Sequence, residues 1–508
     1  MKAARTATRV DAARRLASGC ALASLGAAAL VAAAPVGCSH ASQAPPSYLD
    51  LDAMLDPQTC ATCHADHYRD WSGSMHAYSS DDPVFLAMNA RGQRETGGQL
   101  GSFCVQCHAP VALAQGATTD GTNLASVPQK LKGVTCFFCH TIASVTGSHN
   151  AAVALSGDLV MRGEYSDTIA STAHASAYDV LHDRDRIESA GACGACHDIV
   201  NPAGAAIERT YAEWQTSIFA HTSGGETCGQ CHMNQSTSPE PIAQVPGAPA
   251  RNYHAHDFPA VDVALDTSFP NLDAEKQNVQ QTLQTTLQTA LCVTQQGAVR
   301  VIVDNVSAGH FWPSGAAQDR RAWAEVIASK AGSVFYQSGV VPQGTPVVAV
   351  QNDPDLWLLR DCMFDAQSRQ VNMFWQASST EGNELPMPVT TDTTDPRYYQ
   401  THVYQRFPRG LNATLPQMPD QVTLRIRLQP VGLDVIQDLA DSGDLDAGVG
   451  AAVPTWDVAP LITWTPAAAS ASMLTYQELG EPVTCVSAAP FNVAADKYLA
   501  TENANCSP

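Results

Sequence analysis

The chain has 508 residues, with 28 Lys and Arg against 49 Asp and Glu, and a formal charge of −21. An acidic balance of this size excludes nucleic acid as a partner, because neutralising phosphates takes a surplus of Lys and Arg. The length calls for two or three folded units. No apolar stretch after residue 40 reaches the roughly 20 residues that a membrane-spanning helix needs.

Residues 1–37 read as an export signal. Lys2, Arg5, Arg9, Arg14 and Arg15 precede the apolar run ALASLGAAALVAAAPVG, the basic-then-apolar order of a secretory leader. Cys38 follows small residues and precedes the polar SHASQAPPS, the layout of a bacterial lipoprotein processing site, although Pro35 stands where such sites usually carry Leu. Cys38 is therefore the candidate lipid-bearing residue, with ordinary cleavage near Ala34 as the alternative and residues 38–54 as a linker. Either way the chain is expected in the periplasm, on the outer membrane or at the cell surface.

Cysteine spacing carries most of the chemistry. Of the 16 Cys, ten form five CxxC pairs, each followed directly by His: CATCH at 60–64, CVQCH at 104–108, CFFCH at 136–140, CGACH at 193–197 and CGQCH at 228–232. A random chain of this composition would hold on the order of 0.02 copies of C-x-x-C-H. Two thiols three residues apart can add to the vinyl groups on one haem edge while the following His reaches the iron. A zinc ribbon or a thioredoxin-like site also uses CxxC, but neither requires His in the next position. An exported chain meets the oxidising compartment in which such attachment occurs. Five covalent c-type haems are expected, on Cys60, Cys63, Cys104, Cys107, Cys136, Cys139, Cys193, Cys196, Cys228 and Cys231, with His64, His108, His140, His197 and His232 as proximal iron ligands.

Residues 55–262 resemble the multihaem c-type cytochrome superfamily, which includes tetrahaem nitrifier cytochromes, pentahaem nitrite reductases and octahaem hydroxylamine oxidoreductases. Beyond the haem motifs, the resemblance rests on CHADHYRDWSGSMHAYS, on YAEWQTSIFA before GETCGQCHM, and on HAHDF at 254–258. It implies a mainly α, haem-packed domain. It also implies distal iron ligands at His76, His174, His256 and His310, the last in NVSAGHFWPSGAAQDRRAW at 305–323, a string similar to a segment that follows the haem region in some of these cytochromes. His254 competes with His256; His149, His182 and His221 are weaker candidates; His40 and His402 are not expected to be ligands. Spacing adds one constraint. His76 lies 12 residues beyond His64, roughly 18 Å along a continuous helix, too far to grip one iron from both faces. Even with all four distal ligands in place, one iron lacks a partner.

A repeat, Tyr-x-x-Trp-x-x-Ser, occurs at Tyr68, Trp71 and Ser74 and again at Tyr211, Trp214 and Ser217. His64, Tyr68, Trp71, Met75 and Tyr78 continue a single stripe at helical spacing, suited to packing on porphyrin or on another helix. Residues 263–290 form a helical connector with a Gln/Thr/Leu-rich stretch. Alternating runs such as AVRVIVDNV, RAWAEVIAS and QVTLRIRLQ then point to a C-terminal antiparallel β-sandwich over 291–485, followed by a tail over 486–508. Cys292, Cys362, Cys485 and Cys506 are expected to form two disulfides, which allows three connectivities; sequence separation favours Cys485 with Cys506 and Cys292 with Cys362.

Electron transfer through closely packed, mostly bis-His haems is the leading functional reading, with other redox proteins or a terminal electron acceptor as partners. A multihaem oxidoreductase acting on a small nitrogen or sulfur species at one five-coordinate haem is the alternative, although every motif ends in His and none in the Lys found at the active haem of many nitrite reductases. A third reading makes the chain a redox docking module for a partner cytochrome or an extracellular acceptor. No phosphate-binding, dinucleotide-binding or zinc-protease motif is present, and acidic runs such as DSGDLD at 441–446 read as solvated loops.

Overall fold

The computed structural model describes residues 48–221, 225–350, 352–410, 413–472, 474–478, 481–488 and 499–500. The export signal, Cys38, His40, Cys506 and most of the tail lie outside them, as does the side chain of His402. Ser47–Pro508 group as one compact unit.

The mainly α expectation for 55–262 is too strong. The longest helix there is Pro83–Glu95, and most others run to four or five residues. Between them lie four two-stranded sheets: Ile142–Val145 with Val153–Leu155, Val160–Gly163 with Ala175–Tyr178, Ile199–Val200 with Ala206–Glu208, and Glu240–Pro241 with Ala250–Arg251. The physical reason is motif density. Each CxxCH occupies about one helical turn and the chain must then move to the next attachment point, which leaves no room for a long amphipathic stripe.

The predicted continuous stripe from His64 to Tyr78 is broken for the same reason. Helix Ala65–Gly73 stops at Ser74, which is extended (ψ 160°) and caps a new turn, Met75–Tyr78, by accepting from the Ala77 amide. Gly73 fits where a Cβ would lie 2.8 Å from Asn271 Cβ. The second copy repeats the device: helix Thr210–Thr216 ends at an extended Ser217. In both copies the Ser hydroxyl donates to the Trp carbonyl three residues back, at 2.8 Å in the first and 2.7 Å in the second.

After the connector helix Leu272–Thr286, two sheets face each other. One has the order Leu474–Glu478, Glu481–Ser487, Gln288–Thr294, Val299–Asp304, His402–Phe407, Leu499–Ala500; the other runs Ser333–Ser338, Arg321–Lys330, Gln421–Gln429, Trp456–Trp464, with Trp357–Leu359 also paired to Arg321–Lys330. Alternate residues Val299, Val301 and Val303 of one sheet share a core with Ala322, Ala324, Val326, Leu424 and Ile426 of the other, as period-2 burial requires. The pairing is antiparallel except for Leu499–Ala500, which runs parallel to His402–Phe407.

The expected disulfide pairing needs correction. Cys292 is bonded to Cys485, its register partner on the neighbouring strand, and so not to Cys362. Cys362 is itself disulfide-bonded. Sequence separation misled because strand order, not chain distance, decides which cysteines meet. The two halves of the chain are also joined directly. Ala205 and Ile207 share a core with Met363 and Ala377, and Asn201 Nδ2 donates to the carbonyls of Phe374 and Ala377 at 2.8 Å.

Candidate haem-binding site

Each CxxCH folds as roughly one helical turn, so the two cysteines at i and i+3 and the His at i+4 fall on one face. The His64, His108 and His197 amides donate to the carbonyls of Cys60, Cys104 and Cys193 at 2.8, 3.1 and 3.1 Å. Thr135 caps the turn Cys136–His140, and Thr227 with Gln230 makes a full capping box on Cys228–His232. All ten motif cysteines and all five motif histidines line one continuous, largely apolar cavity, together with His76, His174, His256 and His310.

Backbone carbonyls fix most of these imidazoles by one nitrogen. Nδ1 donates to Ile242 O in His64 (3.1 Å), Ser79 O in His108 (3.1 Å), Arg162 O in His140 (2.5 Å) and Pro259 O in His232 (2.8 Å). Among the distal candidates it donates to Ala175 O in His174 (3.1 Å), His254 O in His256 (2.8 Å) and Phe311 O in His310 (2.7 Å). Nδ1 thus carries the proton and Nε2 keeps its lone pair, the arrangement that second-shell carbonyls impose on metal-binding histidines. Burial also keeps the rings neutral: it pushes His76 down to about 3 and His140, His197 and His310 down to about 4.

Three imidazole pairs stand at similar spacing: His64 with His174 at 6.4 Å between ring centres and His140 with His256 at 6.5 Å, with rings inclined by 28° and 17°, and His76 with His197 at 6.2 Å, with rings inclined by 67°. A metal held between two imidazoles by bonds of about 2 Å puts the ring centres roughly 6 Å apart, so these spacings fit an iron in each gap. His310 lies near His232, whose charge adds to the burial that lowers it. The ring stacked on His108 is Phe85, at 4.1 Å and nearly parallel, and no imidazole pairs with His108 among the described residues.

The remaining histidines are otherwise engaged. His254 meets Glu164 through Nδ1 at 3.1 Å and Gln235 through Nε2 at 3.0 Å. His182 spends Nε2 on Cys139 O at 2.7 Å, although its ring lies 5.8 Å from His140. His149 and His221 are exposed. Sequence reasoning passed over His67. It packs edge-on against Tyr253 and His256, at 4.6 and 4.8 Å, and its Nδ1 is buried without a partner. Burial pushes it down to about 2. The signal was its position one turn beyond His64.

Thiols of different motifs meet, which orders the motifs in space. Cys60 is hydrogen-bonded to Cys136, Cys107 to Cys196 and Cys193 to Cys228, and Cys139 lies near Cys193 and Cys196. These thiols stand where thioether sulfurs would be. The resulting order is CATCH, CFFCH, CGACH, CGQCH, with CVQCH branching from CGACH. The fit to haem is therefore tested at several points: paired cysteines, free Nε2 atoms at a two-ligand spacing, and orphaned buried donors such as His67 Nδ1 that a propionate would satisfy.

Residues 59–141 match a family model described as cytochrome c554 and c-prime. Among solved structures, the chain is similar to a penta-heme cytochrome c552 from Thermochromatium tepidum, with 18% identity and a TM-score of 0.53, covering 81% of this chain and 99% of that one. No curated protein matches. At that identity the likeness is one of fold, and the aligned share is large enough to include much of the sheet-rich half. Fold and motifs together bear out the resemblance to multihaem c-type cytochromes and support covalently attached c-type haem as the cofactor.

Proposed function

We propose that this chain is an exported pentahaem cytochrome in which four irons are held by two histidines each. The assignments are His64 with His174, His140 with His256, His197 with His76, and His232 with His310, leaving the haem on His108 five-coordinate. The observation that carries this reading is the set of three imidazole pairs with ring centres 6.2–6.5 Å apart. Bound at these positions, haem supplies reversible one-electron chemistry, which a bis-His iron performs without binding substrate. The motif order makes CATCH and CGQCH the two ends of a relay and CVQCH a side branch. A surplus of carboxylates over Lys and Arg favours basic redox partners through electrostatic steering. The leader and Cys38 support export with a lipid anchor.

A specific observation favours a second reading, chemistry on a small nitrogen or sulfur species. Phe85, an apolar ring, packs against His108 and no second imidazole pairs with it among the described residues, so the open site falls on the branch and not on the relay. Low-temperature electron paramagnetic resonance of the oxidised protein tests both. Four low-spin signals and one high-spin signal are expected, with carbon monoxide binding only the high-spin haem after reduction. Five low-spin signals would remove the open site, and two or more high-spin signals would break the bis-His assignment.

A further inference from the structure

The Tyr-x-x-Trp-x-x-Ser repeat is structural as well as sequential, and it reaches the haem motif that follows each copy. Trp71 Nε1 donates to Val134 O at 2.8 Å and Trp214 Nε1 to Glu226 O at 2.9 Å, in each case the carbonyl two residues before the first cysteine of CFFCH or CGQCH. The amides of Val134 and Glu226 donate in turn to His76 O at 2.8 Å and to Phe219 O at 2.9 Å, again at equivalent positions of the two copies. Each helix is thereby tied to the motif after it.

The residue before each tryptophan is an acid, Asp70 or Glu213, and it grips a different segment. Asp70 Oδ2 accepts from the Tyr253 hydroxyl and from the His256 amide, the latter at 3.4 Å. Glu213 Oε2 accepts from the Phe311 amide, next to His310, at 3.0 Å and from Ser314 Oγ at 2.7 Å. The position three residues before the acid touches the same loops. His67 packs on Tyr253 and His256, while Thr210 Oγ1 meets Ser314 Oγ at 2.8 Å and accepts from the Gly315 amide at 2.9 Å. Consecutive side chains leave a helix about 100° apart, so acid and tryptophan reach in two directions. In each copy one turn holds a haem motif on one side and, on the other, the loop carrying the histidine assigned to that motif's iron.

We propose that Asp70 and Glu213 are positioning residues for the distal ligands His256 and His310, and that each acid with its tryptophan fixes both axial sides of one haem, that of CFFCH in the first copy and that of CGQCH in the second. The inference rests on the assignment of His256 to the iron of His140 and of His310 to that of His232. The two ligand loops lie in different halves of the chain, yet both meet the same helix position. Groups that orient a metal ligand from outside the coordination sphere set how firmly it binds, and a buried amide that loses its acceptor pays the full cost of desolvation. Both donors share one oxygen of each acid, so a carboxamide oxygen can take its place.

The experiment uses the full holoprotein and its Asp70→Ala, Asp70→Asn, Glu213→Ala and Glu213→Gln variants, with haem content checked by intact mass. His256→Ala and His310→Ala give the reference spectra for loss of each ligand. In each alanine variant one low-spin signal is expected to give way in part to a high-spin signal, and one further haem to bind carbon monoxide after reduction, with the adduct spectrum of the matching histidine variant. Asp70→Asn and Glu213→Gln should restore most of the parent signal. Tyr253→Phe and Ser314→Ala, which each remove one donor to the shared oxygen, should open the same haems by less and serve as the test if an alanine variant does not fold. Parent-like spectra at full haem content, the same haem responding in both alanine variants, or amide variants as open as the alanine ones would overturn the role of the acids. An unchanged low-spin count in His256→Ala or His310→Ala would instead overturn the ligand assignment.

Discussion

His254 and His256 stand two residues apart in HAHDF and have different chemical situations. Glu164 and Gln235 occupy both nitrogens of His254, whereas His256 spends only Nδ1 and turns towards His140. The difference gives a spin-state prediction. His256→Ala should convert one low-spin haem to high-spin, visible as a new carbon monoxide adduct after reduction, while His254→Ala should leave the count of low-spin haems unchanged. The reverse pattern would exchange their roles. The sequence could separate His76 from His64, because rise per residue is a local property. It could not choose between His254 and His256, because the groups that tie up His254 lie 90 and 19 residues away.

Among the elements, the connector helix Leu272–Thr286 carries an unexpected group. Glu275 is 4% exposed on the same helix as the buried Val279 and Leu283. Burial, reinforced by Asp257 and Asp70, pushes its carboxyl up from 4.5 to about 8. Folding then favours the protonated acid. Below pH 4.5 folded and unfolded chains both hold the proton and nothing is lost. Between pH 4.5 and about 8 the unfolded chain ionises first, so stability falls as pH rises. Glu275→Gln should therefore lose less melting temperature than the parent between pH 5 and 8 in thermal scans; parallel pH profiles would contradict this. At this scale the sheet half was readable, since strict alternation in AVRVIVDNV and QVTLRIRLQ marks half-buried strands. The haem half was not. Its helices are set by attachment points and by breaks such as Ser74, and a 3.6-residue stripe runs straight through such a break without a visible change in pattern. Disulfide pairing failed for want of strand order.

Across the whole molecule, the two halves form one unit because the sheet half completes the haem cavity. His310, Trp312 and Arg320 from it line the same cavity as the CxxCH motifs. The scarcity of long helices fits this construction: the chain surrounds a cavity lined by all five CxxCH motifs. The five motifs were legible in the sequence alone, whereas the branching order CATCH, CFFCH, CGACH, CGQCH with CVQCH to one side needed the folded chain.

The most direct measurement is the intact mass of the natively secreted protein, followed by peptide mapping of each CxxCH. Five added haem masses are expected, one on each of the peptides holding Cys60, Cys104, Cys136, Cys193 and Cys228 with their partner cysteines. Any of these five peptides recovered with two free thiols and no macrocycle, in otherwise fully matured protein, would contradict a pentahaem chain.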